Sequence, residues 1–164
     1  MAHHLVLGAG GIGRATAAAL SARGETVTLA SRSGTRVDLD GVTTMAVDAT
    51  DAHALGRAAD GAATIVNAVS PANYTHWDRD WPPIPRALLQ AAERSGAGLV
   101  TVGNLYGYGQ VDAPMTEATP VQPNGIKGQV RARMWADALA AHEAGRIRAT
   151  ELRASDYFLS LIHI

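Results

Sequence analysis

The chain has 164 residues, of which 47% are apolar and 18% charged, so the composition predicts one globular domain rather than a disordered segment. A formal net charge of −1 gives no electrostatic reason to bind nucleic acid or an anionic membrane, and no apolar stretch of the sequence is long enough to span a bilayer. The absence of cysteine excludes disulfides and thiol catalysis and is compatible with a cytoplasmic protein.

The first predicted element is a strand at residues 5–7, which runs into the pattern G-x-G-x-x-G of Gly8, Gly10 and Gly13. A helix is predicted to follow at once over residues 12–23. Its predicted apolar stripe consists of Ile12, Ala15, Thr16, Ala19 and Leu20. In a dinucleotide-binding turn, the first glycine permits the bend, the second lets the backbone approach a pyrophosphate, and the third lets the helix pack close to the strand. The alternative is a glycine-rich turn that binds no nucleotide.

A second strand at residues 26–30 is predicted to end at Ser31, Arg32 and Ser33. NAD sites usually carry Asp or Glu about 20 residues after the glycines, where the carboxylate binds the ribose 2′-hydroxyl. An arginine at this place, with no carboxylate beside it, favours the 2′-phosphate of NADP, and Arg14 could contribute to the same site. The other interpretation makes Arg32 a solvated loop charge.

Asp48 follows a predicted third strand at residues 42–47 and precedes a short helix that begins near Asp51. Its carboxylate could contact the adenine, or it could cap the following helix. A fourth strand at residues 64–69 is apolar through its centre, which is typical of a buried parallel strand. Strands that alternate with helices predict a Rossmann-type α/β fold, with a doubly wound parallel sheet of about six strands and helices on both faces.

Residues 71–85 form a predicted loop that holds several of the chain's few aromatic residues, among them Tyr74, Trp77 and Trp81. A long loop at the carboxyl end of a parallel strand is a common place for a substrate wall. The alternative is a loop whose side chains cover the protein core. We assign Tyr74 to the site and the two tryptophans to the core.

The second half of the chain continues the alternation, with a helix at residues 85–95 and a strand at 99–102. A glycine- and tyrosine-rich loop follows, and then a long helix that starts near Ile126 and stops at Gly145. A sixth strand at residues 147–152 is more charged, so we expect it near an edge of the sheet. No pair of histidines has the spacing of metal ligands on one helix face, and we predict no metal site.

Several motifs together resemble the extended and atypical short-chain dehydrogenase/reductases of the NAD-dependent epimerase/dehydratase group. They are the glycine pattern with Gly11 and Ile12 inside it, Asp48 after the third strand, Asn67 with Ala68 at the end of the fourth, the segment 103–107 with its Tyr106, and the loop 115–120. The resemblance covers nearly the whole chain and implies an NAD(P)-binding domain. The coenzyme-binding residues predicted from the motifs and the resemblance are Gly8, Gly10, Gly11, Ile12, Gly13, Arg14, Ser31, Arg32, Asp48, Asn67, Ala68 and Lys127.

The resemblance also implies a catalytic set made of Ser or Thr, a Tyr, and a Lys four residues after that Tyr. In the family the lysine lowers the tyrosine pKa and holds the nicotinamide ribose, and the tyrosine acts as general acid or base. Lys127 matches the lysine, whereas Pro123 stands at the tyrosine position and Val102 at the serine position. We therefore expect Lys127 to bind the ribose, the alternative being an exposed helix lysine. The tyrosines that could replace the missing acid are Tyr74, Tyr106 and Tyr108.

Residues 1–158 are expected to form the coenzyme-binding domain, whereas residues 159–164 do not resemble the family, whose members continue into a substrate-binding region that we expect to be missing. The resemblance implies an oxidoreductase or epimerase that acts on a small carbonyl or sugar-type substrate. A non-catalytic NAD(P)-sensing regulator of the NmrA-like kind is the alternative, favoured by the missing Tyr and Ser, and a methyltransferase fits less well. The expected partners are the dinucleotide, a small-molecule substrate and, as an open question, a second copy of the chain.

Overall fold

The computed structural model describes residues 1–70 and 75–155, and within them six strands alternate with helices. The strands are β1 (His3–Leu7), β2 (Thr26–Ser31), β3 (Val42–Ala46), β4 (Thr64–Asn67), β5 (Gly98–Asn104) and β6 (Ala149–Ala154). The helices are α1 (Gly11–Ala22), α2 (Ala52–Ala58), α3 (Trp77–Asp80), α4 (Pro83–Ser95) and α5 (Ile126–Glu143), with a 3₁₀ turn at Leu105–Tyr108.

The strands form one sheet in the order β3-β2-β1-β4-β5-β6, and every neighbouring pair is parallel. The chain starts at the centre of the sheet, winds outward through β2 and β3, and returns to place β4 on the other side of β1. The predicted doubly wound parallel fold is therefore confirmed. In such sheets a crevice opens between β1 and β4, beyond the carboxyl ends of the strands, because the direction of winding reverses there.

The central strand is buried on both faces, with Leu5, Val6 and Leu7 at 0%, 0% and 1% exposure. Leu5 and Leu7 belong to a large apolar cluster with α2, α4 and α5, while Val6 belongs to a smaller cluster that includes Ala17 of α1. Because successive strand residues point to opposite faces, a continuous apolar run is what a strand covered by helices on both sides needs.

The face of α1 that packs on the sheet only partly matches the predicted stripe, of which Leu20 packs against the smaller cluster. Gly13 and Ala17 are buried, whereas Ala15 and Ala19, which the stripe placed inside, are exposed. The cause is the close approach of the helix to the sheet at Gly13, where a Cβ would overlap the Gly8 carbonyl oxygen. The side of α1 that carries Gly13 therefore turns inward.

The predicted loop at residues 71–85 is partly helical, because α3 lies within it and α4 begins at Pro83 rather than Pro85. Proline is well suited to the first turn of a helix, since its missing N–H would have no partner there. Trp77 and Trp81 are 2% and 0% exposed, so both tryptophans belong to the core, as assigned. Tyr74 lies outside the described residues.

Strand β6 is shifted by two residues from its predicted range of 147–152. Ile147, 7% exposed, packs into the core from the connection after α5, and the carbonyl of Arg148 accepts a hydrogen bond of 2.7 Å from the Leu99 amide before the strand begins. Its predicted edge position is confirmed. The tail at 159–164 lies outside the described residues, and none of the helices described is long and apolar enough to cross a bilayer.

Candidate functional site

The turn after β1 is closed by Gly8, whose φ of 107° is a conformation that residues with a side chain rarely adopt. Its amide donates a hydrogen bond of 2.7 Å to the Ala30 carbonyl, which ties the turn to the end of β2. A Cβ at Gly8 would stand 2.6 Å from the Ala68 carbonyl oxygen after β4. Glycine therefore brings the ends of β1, β2 and β4 close together at the point where the crevice opens.

The N-terminus of α1 faces this turn without a side-chain cap. Gly10 is the N-cap residue, and no acidic side chain stands in the first turn. Among the described residues, no atom beyond the chain neighbours lies within 4 Å of the place that a Cβ would take at Gly10 or Gly11. The free amides and the positive end of the helix dipole are thus open to an anionic group. Arg14 lies beside them and donates from Nε to the Ala9 carbonyl over 3.0 Å.

The exit of β2 forms a tight turn around Ser31. The Gly34 amide donates to the Ser31 carbonyl over 3.1 Å, and the Thr35 amide donates to the Ser31 hydroxyl over 3.0 Å. The Ser33 and Thr35 hydroxyls lie 2.8 Å apart. Arg32 is exposed at the second position of this turn, so the backbone presents its guanidinium at the carboxyl edge of the sheet.

Asp48 follows β3 and is exposed, with Oδ1 accepting from the Thr50 amide and the Thr50 hydroxyl, both over 2.8 Å. The amide hydrogen bond and then the hydroxyl lower the pKa of the Asp48 carboxyl below its usual value, and the charge of Arg32 acts in the same direction. The carboxylate is therefore ionised at neutral pH and can only accept hydrogen bonds. The helix-cap alternative for Asp48 is wrong, because Asp51 caps α2 through bonds of 2.9 Å from His53 and Ala54.

These segments surround a cleft of about 580 Å³ at the carboxyl edge of the sheet. The predicted residues that line it are Gly8, Gly10, Ser31, Arg32, Asp48 and Ala68. The predicted residues outside its lining are Gly11, Ile12, Gly13, Arg14, Asn67 and Lys127. Of these, Asn67 is 1% exposed, and its Oδ1 accepts a hydrogen bond of 3.2 Å from the amide of Val69, which lines the cleft. Asn67 therefore supports the cleft wall without lining it.

Sequence reasoning missed the apolar part of the cleft, which is formed by Val47, Ala49, Val69 and Ile84. Three of these residues, Val47, Ala49 and Val69, lie at or just beyond the ends of the predicted third and fourth strands. Ile84 comes from α4, in a segment predicted as loop. Its helical spacing from Leu88, four residues later, is the signal that could have revealed it. Asp80 of α3 lines the same cleft and was also missed.

Lys127 and Tyr106 lie together at a second place, where both contact the ring of Trp77. The Lys127 Nζ lies 5.5 Å from the Trp77 ring centroid, and the Tyr106 ring centroid lies 6.1 Å from it. Gly128 permits this arrangement, because a Cβ there would stand 2.5 Å from the Tyr106 carbonyl oxygen. Lys127 is half-buried and Tyr106 is 45% exposed. Tyr74, the other predicted catalytic tyrosine, is outside the described residues.

The residues fit an adenine dinucleotide. The volume of the cleft lies within the usual range of small-molecule sites, and its apolar side chains offer a slot for a flat base beside the ionised Asp48. The N-terminus of α1, which has no side-chain cap, follows Gly10 at the edge of the cleft, where a diphosphate would need amide donors. In residues 1–70 and 75–155, no three His, Asp or Glu side chains are grouped so that they could hold a metal ion.

Comparison with known families identifies the chain. A family model described as NAD(P)H-binding matches residues 8–156, and the chain therefore belongs to this family. The matched range includes the glycine turn and every described strand except β1. A comparison with curated protein sequences gives no match.

Solved structures share the fold. A short-chain dehydrogenase/reductase superfamily protein from Agrobacterium tumefaciens with bound NAD is 25% identical, with a TM-score of 0.75 over 92% of this chain and 48% of its own. A UDP-glucose 4-epimerase from Brucella ovis in complex with NAD is 18% identical, with a TM-score of 0.80 over 93% and 51%. Uronate dehydrogenase from Agrobacterium tumefaciens is 20% identical, with a TM-score of 0.77 over 91% and 59%. The predicted family resemblance is confirmed, and the chain spans about half the length of these proteins.

Proposed function

We propose that this chain is the coenzyme-binding portion of an NADP-preferring, cytoplasmic dehydrogenase or epimerase that acts on a small carbonyl or sugar-type substrate. NAD(P) binding itself follows from the family. The preference for NADP rests on the β2 exit, and the reaction class on the solved structures that share the fold, which include a dehydrogenase and an epimerase. The proposal assigns the glycine turn to the diphosphate and the apolar cleft to the adenine.

The proposed preference for NADP rests on the side chains of the turn after β2. Arg32 lines the cleft at the place where an NAD site has a carboxylate, and the Ser33 and Thr35 hydroxyls lie in the same turn. A 2′-phosphate would meet a guanidinium and hydroxyl donors there. Among the carboxylates that line the cleft, Asp48 is the nearest to Arg32 along the sequence. Its Oδ1 accepts hydrogen bonds from the Thr50 amide and hydroxyl, which orient the carboxylate within its own loop.

At the nicotinamide end we assign two roles. A bound nicotinamide coenzyme supplies or accepts the hydride. Lys127 binds the hydroxyls of its ribose, and Tyr106 is the candidate acid or base, because both side chains contact the same Trp77 ring and Tyr106 is open to solvent. Pro123 and Val102 offer no hydroxyl at the places where the family has Tyr and Ser, so Lys127 keeps the role of the family's lysine and Tyr106 replaces the missing tyrosine.

The missing hydroxyls also favour a second candidate function, a sensor that binds NAD(P) without turnover. Two assays separate the two functions: oxidation of NADPH by small carbonyl compounds detects a dehydrogenase, and conversion of a sugar to its epimer without net change in the coenzyme detects an epimerase. Turnover that Tyr106→Phe abolishes supports the dehydrogenase or epimerase. Coenzyme binding with no turnover for any of the compounds supports the sensor.

Arg32→Ala is expected to lower the affinity for NADPH by about 10- to 30-fold and to leave the affinity for NADH within about twofold, since one charge-assisted contact is removed. Isothermal titration of both coenzymes measures the two affinities. Arg36→Ala is the matched control, because Arg36 is an exposed arginine of the same loop that does not line the cleft. An NADPH/NADH affinity ratio that stays the same in Arg32→Ala would remove the basis for the NADP preference.

A further inference from the structure

Trp77 is a core residue whose ring also contacts the candidate functional residues Lys127 and Tyr106. It starts the short helix α3 and is 2% exposed, yet its ring meets two candidate functional groups from other elements, as well as the neighbouring Trp81. Lys127 Nζ lies 5.5 Å from the ring centroid, and the Tyr106 ring lies at 6.1 Å with a tilt of 39°. The Trp81 ring meets it edge-on at 5.5 Å and 63°. The indole is thus the common neighbour of the two groups assigned to the nicotinamide end.

A second cation approaches the same pair of indoles. The Arg131 guanidinium carbon lies 5.4 Å from the Trp77 ring centroid and 4.2 Å from that of Trp81. Lys127 and Arg131 stand four residues apart on α5, so they lie on one face of the helix, where two like charges repel each other. The negative faces of the indole rings attract both cations and offset this repulsion. Trp77 is therefore a shared contact of both cations, and Trp81 is a further contact of Arg131.

We infer that Trp77 is the positioning residue for Lys127 and holds its ammonium group where the nicotinamide ribose binds; this inference rests on the ribose-binding role proposed for Lys127. A lysine side chain is long and flexible, so it needs a partner to stand in one place. The family resemblance implies that a tyrosine and a serine belong beside this lysine, and here their positions are taken by Pro123 and Val102. The Trp77 ring face is a contact that restricts the Lys127 side chain in this protein.

Helix α3 also links this group to the coenzyme cleft. Asp80, at the other end of the same four-residue helix, lines the cleft near Ile84, while Trp77 holds the lysine. A movement of α3 would therefore change the adenine wall and the lysine together. Trp77 itself is not among the residues that line the cleft, so in this proposal it acts on the nicotinamide half of the coenzyme through Lys127.

The test compares two ligands in the full chain: NADPH, and adenosine 2′,5′-bisphosphate, which lacks the nicotinamide ribose. Trp77→Leu is expected to lower NADPH affinity about fivefold and to leave bisphosphate affinity within about twofold, since one cation–π contact is lost. Trp77→Phe, which keeps a ring face, should recover most of the loss. Trp135→Leu is the matched control, because it removes an indole that faces Arg153 and not Lys127.

Equal losses for both ligands in Trp77→Leu would show a merely structural role and overturn the inference, as would an unchanged NADPH affinity. A wild-type Lys127 whose ε-methylene protons show no upfield ring-current shift in NMR would also overturn it, and this measurement needs no variant. Lys127→Met identifies which proposal fails. If it lowers NADPH affinity while Trp77→Leu does not, the inference alone fails; if it has no effect, the ribose role of Lys127 fails, and the inference with it.

Discussion

Gly13→Ala is expected to abolish coenzyme binding and to lower stability by about 3 kcal/mol, because the added Cβ would overlap the Gly8 carbonyl oxygen. This oxygen belongs to backbone that the sheet holds in place, since the Gly8 amide donates to Ala30 over 2.7 Å. Neither α1 nor the turn can give way without moving the other. The gain of about 1 kcal/mol that alanine brings over glycine inside a helix does not offset the clash.

Thermal unfolding and NADPH titration measure the two effects of Gly13→Ala. The midpoint is expected to fall by about 8 °C for a chain of this size, with no NADPH binding detectable. Gly11→Ala is the control for the stability effect, because Gly11 is also in α1 and no described atom outside its chain neighbours and the backbone of its own helix lies within 4 Å of its Cβ position. A Gly13→Ala protein that unfolds at the wild-type temperature would show that α1 does not approach β1 as closely as described.

Gly10→Val is expected to lower NADPH affinity at least about 100-fold while leaving the fold intact, because only the coenzyme would meet the new side chain. Gly10 has φ −76° and ψ −175°, an extended conformation that valine adopts readily. No described atom beyond the chain neighbours lies within 4 Å of its Cβ position. The two variants of this turn are thus expected to differ: Gly13→Ala loses both coenzyme binding and stability, whereas Gly10→Val loses coenzyme binding alone.

The Gly10→Val result is read from NADPH titration together with thermal unfolding of the same sample. The unfolding midpoint should stay within a few degrees of the wild type, since the position is solvent-facing. Retained NADPH affinity in a folded Gly10→Val protein would mean that no diphosphate approaches this backbone, and the assignment of the glycine turn would then be wrong.

Much of the fold could be predicted because its signals are local. The apolar run at Leu5–Leu7 and the glycines after it mark a buried strand, a tight turn and a helix within a few residues of one another. Gly96 has a φ of 72° at the end of α4, as a helix stop requires. The alternation of such units then leaves few topologies other than a parallel sheet.

The parts that could not be predicted depend on distant contacts. The inward face of α1 is set by the clash that only Gly13 avoids, and hydrophobic spacing alone favoured Ala15 and Ala19. Helix α4 begins at Pro83 and not at the predicted Pro85, and this earlier start makes Ile84, which lines the cleft, a helical residue. The contact of Lys127 with Trp77 joins residues 50 positions apart, which no local pattern encodes.

In the proposed coenzyme site, the amides at the start of α1 bind the coenzyme diphosphate. A crystal structure of the protein with NADPH tests this directly. We expect diphosphate oxygens at about 2.8–3.0 Å from the amide nitrogens of Gly11 and Ile12, with the adenine between Val47 and Ile84. A cleft that stays empty at saturating NADPH, or a coenzyme bound elsewhere on the protein, would contradict the assignment of these amides to the diphosphate.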